Sequence, residues 1–202
     1  MTILTVNLLF STLVFWIAAR LYLLPRLHEL RARSVLLPIL LLHAFRHLGL
    51  RFLAPGGTYA GIPPQFAYPA AFGDFLAAVL AVTAIWAVAV SARGARLLVW
   101  AFNIEGTLDL IVAIALATVT GAAAYMGPAY WIPAFWVPAL LVTHYITFII
   151  LRSSWKGAVL PHDGADSRGG DASLAVVRRF IANKTRCCSS PRSGRCRSRM
   201  WR

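Results

Sequence analysis

The stretch Leu97–Thr120, LLVWAFNIEGTLDLIVAIALATVT, decides the fold: it is long enough to cross a bilayer and yet carries Asn103, Glu105 and Asp109. About 20 mostly apolar residues suffice to span the hydrocarbon as a helix. An acidic side chain at the centre of such a helix costs about 2.5 to 3.5 kcal/mol on insertion scales, so it is retained where it faces other protein groups or water. The stretch therefore reads as one helix of a bundle with a polar interior. Glu105 and Asp109 stand four residues apart, which puts both on one helical face.

Four further segments have the same character, near residues 2–24, 34–53, 70–90 and 133–151. The 202-residue chain is 59% hydrophobic and 13% charged, whereas a soluble domain carries about 25% charged residues. The expectation is an all-α, polytopic transmembrane helix bundle of five spans over residues 1–152, followed by a basic tail at 153–202. The apolar runs are continuous and too long for the alternating strands of a membrane β-barrel. The first run has no basic residue before it and no small-residue cleavage motif after it, so an uncleaved span is expected in place of a signal peptide.

Charge in the connections orients the spans. Arg26, Arg31 and Arg33 lie between the first two, and Arg93 and Arg96 between the third and fourth, whereas residues 54–69 and 121–132 contain no Lys or Arg. Basic and uncharged connections alternate, and the positive-inside rule then puts the N-terminus outside and the C-terminus in the cytoplasm. Tyr59, Tyr68, Tyr125, Tyr130 and Trp131 collect on the expected outer side, and Trp100 and Trp155 near the inner one, as interfacial rings do. Pro55, Gly56, Gly57, Pro63, Pro64 and Pro69 restrict the chain between the second and third spans.

The tail obeys other rules. Residues 1–151 carry a net charge of +4, and residues 152–202 carry +9. Residues 162–170 read as linker, residues 171–184 as one short amphipathic helix, and the remainder as largely disordered. Basic segments of this kind suit the anionic lipid of the cytoplasmic leaflet. Nucleic acid is disfavoured as a partner, because no recognition fold accompanies the charge. Cys187, Cys188 and Cys196 lack the spacing of a structural zinc site and fall on the reducing side, where free thiols are expected.

Counting along the spans brings His43, Glu105, Asp109 and His144 to one depth near mid-bilayer. His43 and His47 are four apart and are expected to share a helical face, with Arg46 on a neighbouring one. His43, Arg46, His47, Glu105, Asp109 and His144 thus form the candidate intramembrane polar cluster. Towards the outer surface, Asp74 is expected to pair with Arg51, or with Arg46.

Three functions remain open for this layer. In the first, polar side chains join helices in a structural or accessory subunit, with a second copy or another membrane protein as partner. In the second, the layer is a proton relay of a transporter, with Asp109 as the protonated group and His43 or His144 beside it. In the third, His43, His47 and His144 ligate a transition metal or haem. No cofactor is otherwise implied. Enzymatic work is disfavoured: no G-x-S-x-G nucleophile motif or phosphate-binding glycine loop is present, no glutamate stands between His43 and His47, and the two acids share a face.

The segment His43-Ala-Phe-Arg-His-Leu-Gly-Leu-Arg-Phe-Leu-Ala-Pro-Gly56, with Asn103-x-x-Gly106-x-x-Asp109-Leu110, resembles small multi-pass bacterial membrane proteins of uncharacterised function. The resemblance covers roughly residues 1–155 and leaves out the basic tail. It implies a bacterial cytoplasmic membrane and several helices, and names no substrate or cofactor.

Overall fold

A computed structural model describes residues 3–27, 29–153 and 155. The basic tail, with the expected helix at 171–184 and the three cysteines, lies outside the described residues, apart from Ser153 and Trp155. The described chain is all-α, and five helices have the length and apolar composition to cross a membrane. Helix α1 (Ile3–Ala18) continues through a π turn (Ala19–Leu23) and a 3-10 turn (Leu24–Arg26). Helix α2 (Ala32–Ala44) runs directly into a 3-10 helix (Phe45–Phe52). Helices α3 (Pro64–Ala89) and α4 (Ala95–Val119) are uninterrupted, and α5 (Val137–Ser153) is preceded by a π turn (Ile132–Trp136).

Two of these boundaries depart from the hydropathy reading, and proline explains both. The third helix begins at Pro64, six residues before the expected start, because proline at the first helical position has no amide hydrogen to leave unsatisfied. Pro69 lies inside it, near enough to the end for the lost hydrogen bond to be tolerated. In the fifth span Pro133 sits within the wider π turn and Pro138 in the first turn of α5, and the helical run begins at Gly127.

Helices α3 and α4 pack along each other, α2 with its 3-10 extension lies against α3, and α1 rests on α5. One end of the bundle is tied by the Tyr59 amide donating to the Tyr125 carbonyl at 2.8 Å, which joins the two uncharged connections. At the other end Arg33 donates to the Ala89 carbonyl at 2.7 Å and Arg96 to the Leu151 carbonyl at 3.2 Å. These arginines satisfy carbonyls in the last turns of α3 and α5, where a cation also suits the helix dipole. The bundle's outer faces are apolar: Ile3, Phe10, Leu13, Phe72, Trp86, Leu97 and Leu108 are all exposed. A helix bundle greasy on the outside and polar within is embedded in lipid.

Candidate functional site

The site starts from a change of helix type. After Ala44 the second span tightens to three residues per turn, and side chains three apart then eclipse one another. His43, Arg46, Gly49 and Phe52 accordingly form one inward row, and all four are buried. His47 was expected on the face of His43, and the tighter winding turns it away. It is exposed, with its ring Nδ1 2.9 Å from the Ala44 carbonyl.

Arg46 is the centre of the arrangement, with 1% of its surface exposed. Its Nε donates to Asp74 Oδ1 on α3 at 2.7 Å, and its Nη2 donates to Asp109 Oδ2 on α4. Nη1 donates to the Gly106 carbonyl of α4 at 3.2 Å and stands 3.5 Å from His144 Nε2 of α5. A guanidinium has five N–H groups in a fixed planar fork, so a single side chain addresses three other spans. Asp74, assigned to the outer surface with Arg51, instead belongs to this centre through Arg46, the other partner considered for it. Arg51 is exposed, and among the described residues no ion pair joins it to Asp74.

Three glycines make room for the charges. A Cβ on Gly106 would lie 2.7 Å from both Arg46 Nη1 and His144 Cε1. A Cβ on Gly73 would run into the Asp109 carboxylate, and one on Gly49 into that of Asp74. Arg46, Asp74, Asp109 and His144 therefore each lie against a neighbouring helix backbone.

The histidines are held by neutral groups. His144 Nδ1 is 2.8 Å from Asn103 Oδ1, and Asn103 Nδ2 donates to the His144 carbonyl at 3.3 Å. With the amide oxygen accepting, the tautomer of His144 that fits carries its hydrogen on Nδ1, and Nε2 then accepts from Arg46. The His43 Nε2 lies 2.9 Å from Thr143 Oγ1, whose own hydrogen is directed to the carbonyls of Ala139 and Leu140. His43 thus donates through Nε2, and its buried Nδ1 has no hydrogen-bond partner among the described residues. The two imidazoles are 4.3 Å apart between ring centres, and Phe102 packs against both.

Glu105 is partly buried, and its Oε2 has no hydrogen-bond partner among the described residues. One guanidinium consequently faces two carboxylates, with a third acid one helical turn below Asp109. The residues that spacing alone did not bring forward are Thr143, Phe102, Gly49 and Gly73. Only Gly49 had a signal, as the next member of the three-residue row after His43 and Arg46.

The arrangement does not build a metal donor set. Asp74 and Asp109 turn their oxygens to Arg46, the guanidinium occupies the space before His144 Nε2, and His47 faces away. Among the described residues no three His, Cys, Asp or Glu side chains converge as ligands.

Comparison with curated proteins and with solved structures gives no match. Residues 3–152 do match a family model, described as Domain of unknown function (DUF8737), and the chain belongs to that family. The match ends where the basic tail begins, so the polytopic helical unit is the part that defines the family.

Proposed function

We propose that this multi-pass protein is a structural or accessory membrane subunit whose buried ionic layer clamps its helices into one arrangement. The observation that carries the reading is Arg46, whose guanidinium reaches α3 through Asp74, α4 through Asp109 and Gly106, and α5 through His144. Helices in lipid gain little from burying apolar surface, since the tails are as apolar as leucine, so association depends on packing and polar contacts. A charged fork with several specified acceptors selects one rotation for each helix, because any other leaves a carboxylate facing hydrocarbon.

The test is a double-mutant cycle on the purified protein in lipid nanodiscs, using Arg46→Met, Asp109→Asn and the pair. The clamp requires the single Arg46 variant to be less stable than the double, since the double removes both charges together. If the double loses as much as the two singles summed, Arg46 and Asp109 are not coupled, and the reading fails.

A second reading has its own observation. Asp74, Asp109 and Glu105 outnumber one guanidinium by two, and in a medium that solvates no surplus charge protons taken up by these acids restore balance. Asp109, with His144 across Arg46, would then exchange a proton in a coupled transporter. Proton flux into proteoliposomes that is lost in Asp109→Asn supports this, and equal flux in the variant removes it.

The basic ends of the helices support a cytoplasmic placement of the connections at residues 27–31 and 90–94, with the N-terminus outside a bacterial cytoplasmic membrane. Arg33 and Arg96 share that end through their contacts with Ala89 and Leu151. Labelling of single cysteines substituted at Thr58 and at Arg93, with Cys187, Cys188 and Cys196 replaced by serine, by an impermeant maleimide tests it. Thr58 is expected to react from outside and Arg93 only after lysis.

A further inference from the structure

Asp74 has a second surrounding besides Arg46. It lines one part of a partly open cavity of about 200 Å³ bordered by residues of α1, α3 and α4, by Phe52 and by the segment leading into α5, whose walls are otherwise mainly apolar, with the hydroxyl-bearing Thr5 and Thr118 among them. Leu4 and Leu8 stand on one side, Phe66 and Ala70 on the helix that carries Asp74, and Leu110 and Ala113 opposite. The Asp74 side chain keeps 13% of its surface exposed, whereas Arg46 has none. The acid therefore meets the cavity, and its partner cation is hidden behind it. Arg46 is also shared with Asp109, so the wall that the cavity presents is negative. A carboxylate has about four acceptor positions, and the hydrogen bond from Arg46 Nε uses one of them.

Size narrows the occupant. An apolar cavity of about 150 Å³ holds benzene, and pockets for drug-sized ligands begin at about 300 Å³. We propose that this cavity binds a small organic cation: one aromatic ring or a short alkyl chain carrying an ammonium group. The apolar body lies against Leu4, Phe66 and Ala113, and the ammonium donates to Asp74. Lipid presents the apolar part and an ordinary anion the wrong sign, so the single carboxylate sets the selectivity. The inference stands apart from both readings of the ionic layer, since it depends on the cavity and on the face of Asp74 that the clamp leaves exposed.

The experiment is calorimetric titration of the full chain in nanodiscs with phenethylammonium, and with 2-phenylethanol as a neutral molecule of similar size. Wild type is expected to bind the cation saturably and at least tenfold more tightly than the alcohol. Ala113→Leu, which fills the cavity and leaves Asp74 and Arg46 in place, is expected to abolish binding of both. Asp74→Asn is expected to erase the preference for the cation while the alcohol still binds. Equal affinity for the two probes in wild type overturns the proposal, as does unchanged binding in Ala113→Leu. A lipid adduct in the native mass spectrum of wild type that is lost in Ala113→Leu also overturns it, assigning the cavity to an acyl chain. Should Asp74→Asn fail to fold, the comparison of the two probes in wild type and Ala113→Leu still decides.

Discussion

The two ends of this bundle are built on different principles. Towards the basic connections the core is dry and fine-grained: Ala81, Ala84, Ala87, Val88, Ala95, Val99, Ile146, Ile150 and Leu151 are buried together with Leu36 and Leu40. Small residues on α3 let α2 and α4 approach closely, and dispersion contacts hold them. Halfway along, the same helices meet through Arg46, Asp74, Asp109 and His144, and beyond that layer a cavity opens. The apolar end tolerates many sequences of suitable volume. The polar layer tolerates few, because Arg46, Asp74 and Asp109 each need a specified partner and Gly49, Gly73 and Gly106 make the room for them.

That contrast can be broken most severely at Arg46. Arg46→Met leaves two buried carboxylates without a cation, and a loss of about 3 to 5 kcal/mol is expected from breaking such a pair on one side. Chemical unfolding in mixed micelles measures it. Restoring much of that loss in the triple variant Arg46→Met, Asp74→Asn, Asp109→Asn shows that the cost comes from stranded charge. Arg46→Lys keeps the charge and loses the fork, so it should fall between wild type and methionine.

The next effect belongs to Gly106. Gly106→Ala forces a methyl group against Arg46 and His144, and overpacking of this kind costs about 1 to 3 kcal/mol. Gly94→Ala is the control, because a Cβ there meets nothing within 4 Å. A Gly106 variant as stable as the Gly94 variant would show that the layer yields more readily than its geometry suggests.

In the apolar end the expected effects are smaller. Ile150 is fully buried, and Ile150→Val should cost about 0.5 to 1.5 kcal/mol, the usual figure for one buried methylene. A loss as large as that of Arg46→Met would erase the distinction between the two regions. The smallest change is expected at His47. Since it is exposed, His47→Ala should stay within about 0.5 kcal/mol of wild type, whereas His43→Ala removes a buried ring packed on His144 and Phe102. Melting curves of the two variants side by side separate them.

Much of this was readable along the chain. Hydropathy alone identifies five long apolar helices, and the cost of charge in lipid leads to His43, Arg46, His47, Glu105, Asp109 and His144 as expected inward groups, of which His47 is exposed. The uniform 3.6-residue periodicity fails at one place, the 3-10 winding after Ala44, and the failure has consequences. It exchanges His47 for Arg46 on the inner face and aligns Gly49 with it. Asp74 was legible as an acid needing a partner, but spacing did not choose between Arg46 and Arg51. Thr143 was invisible as a partner, since a threonine in an apolar helix ordinarily bonds its own backbone, as this one also does.

By itself the sequence determined that this is a lipid-embedded, five-helix protein with acids, bases and imidazoles within its apolar spans. Those properties follow from what each segment costs to place in hydrocarbon, and that cost is local. Which groups meet was decided only by the tertiary structure. A pairing such as Arg46 with both Asp74 and Asp109 depends on the rotation of three helices about their own axes. Rotation is set by how closely Gly49, Gly73 and Gly106 let the backbones approach.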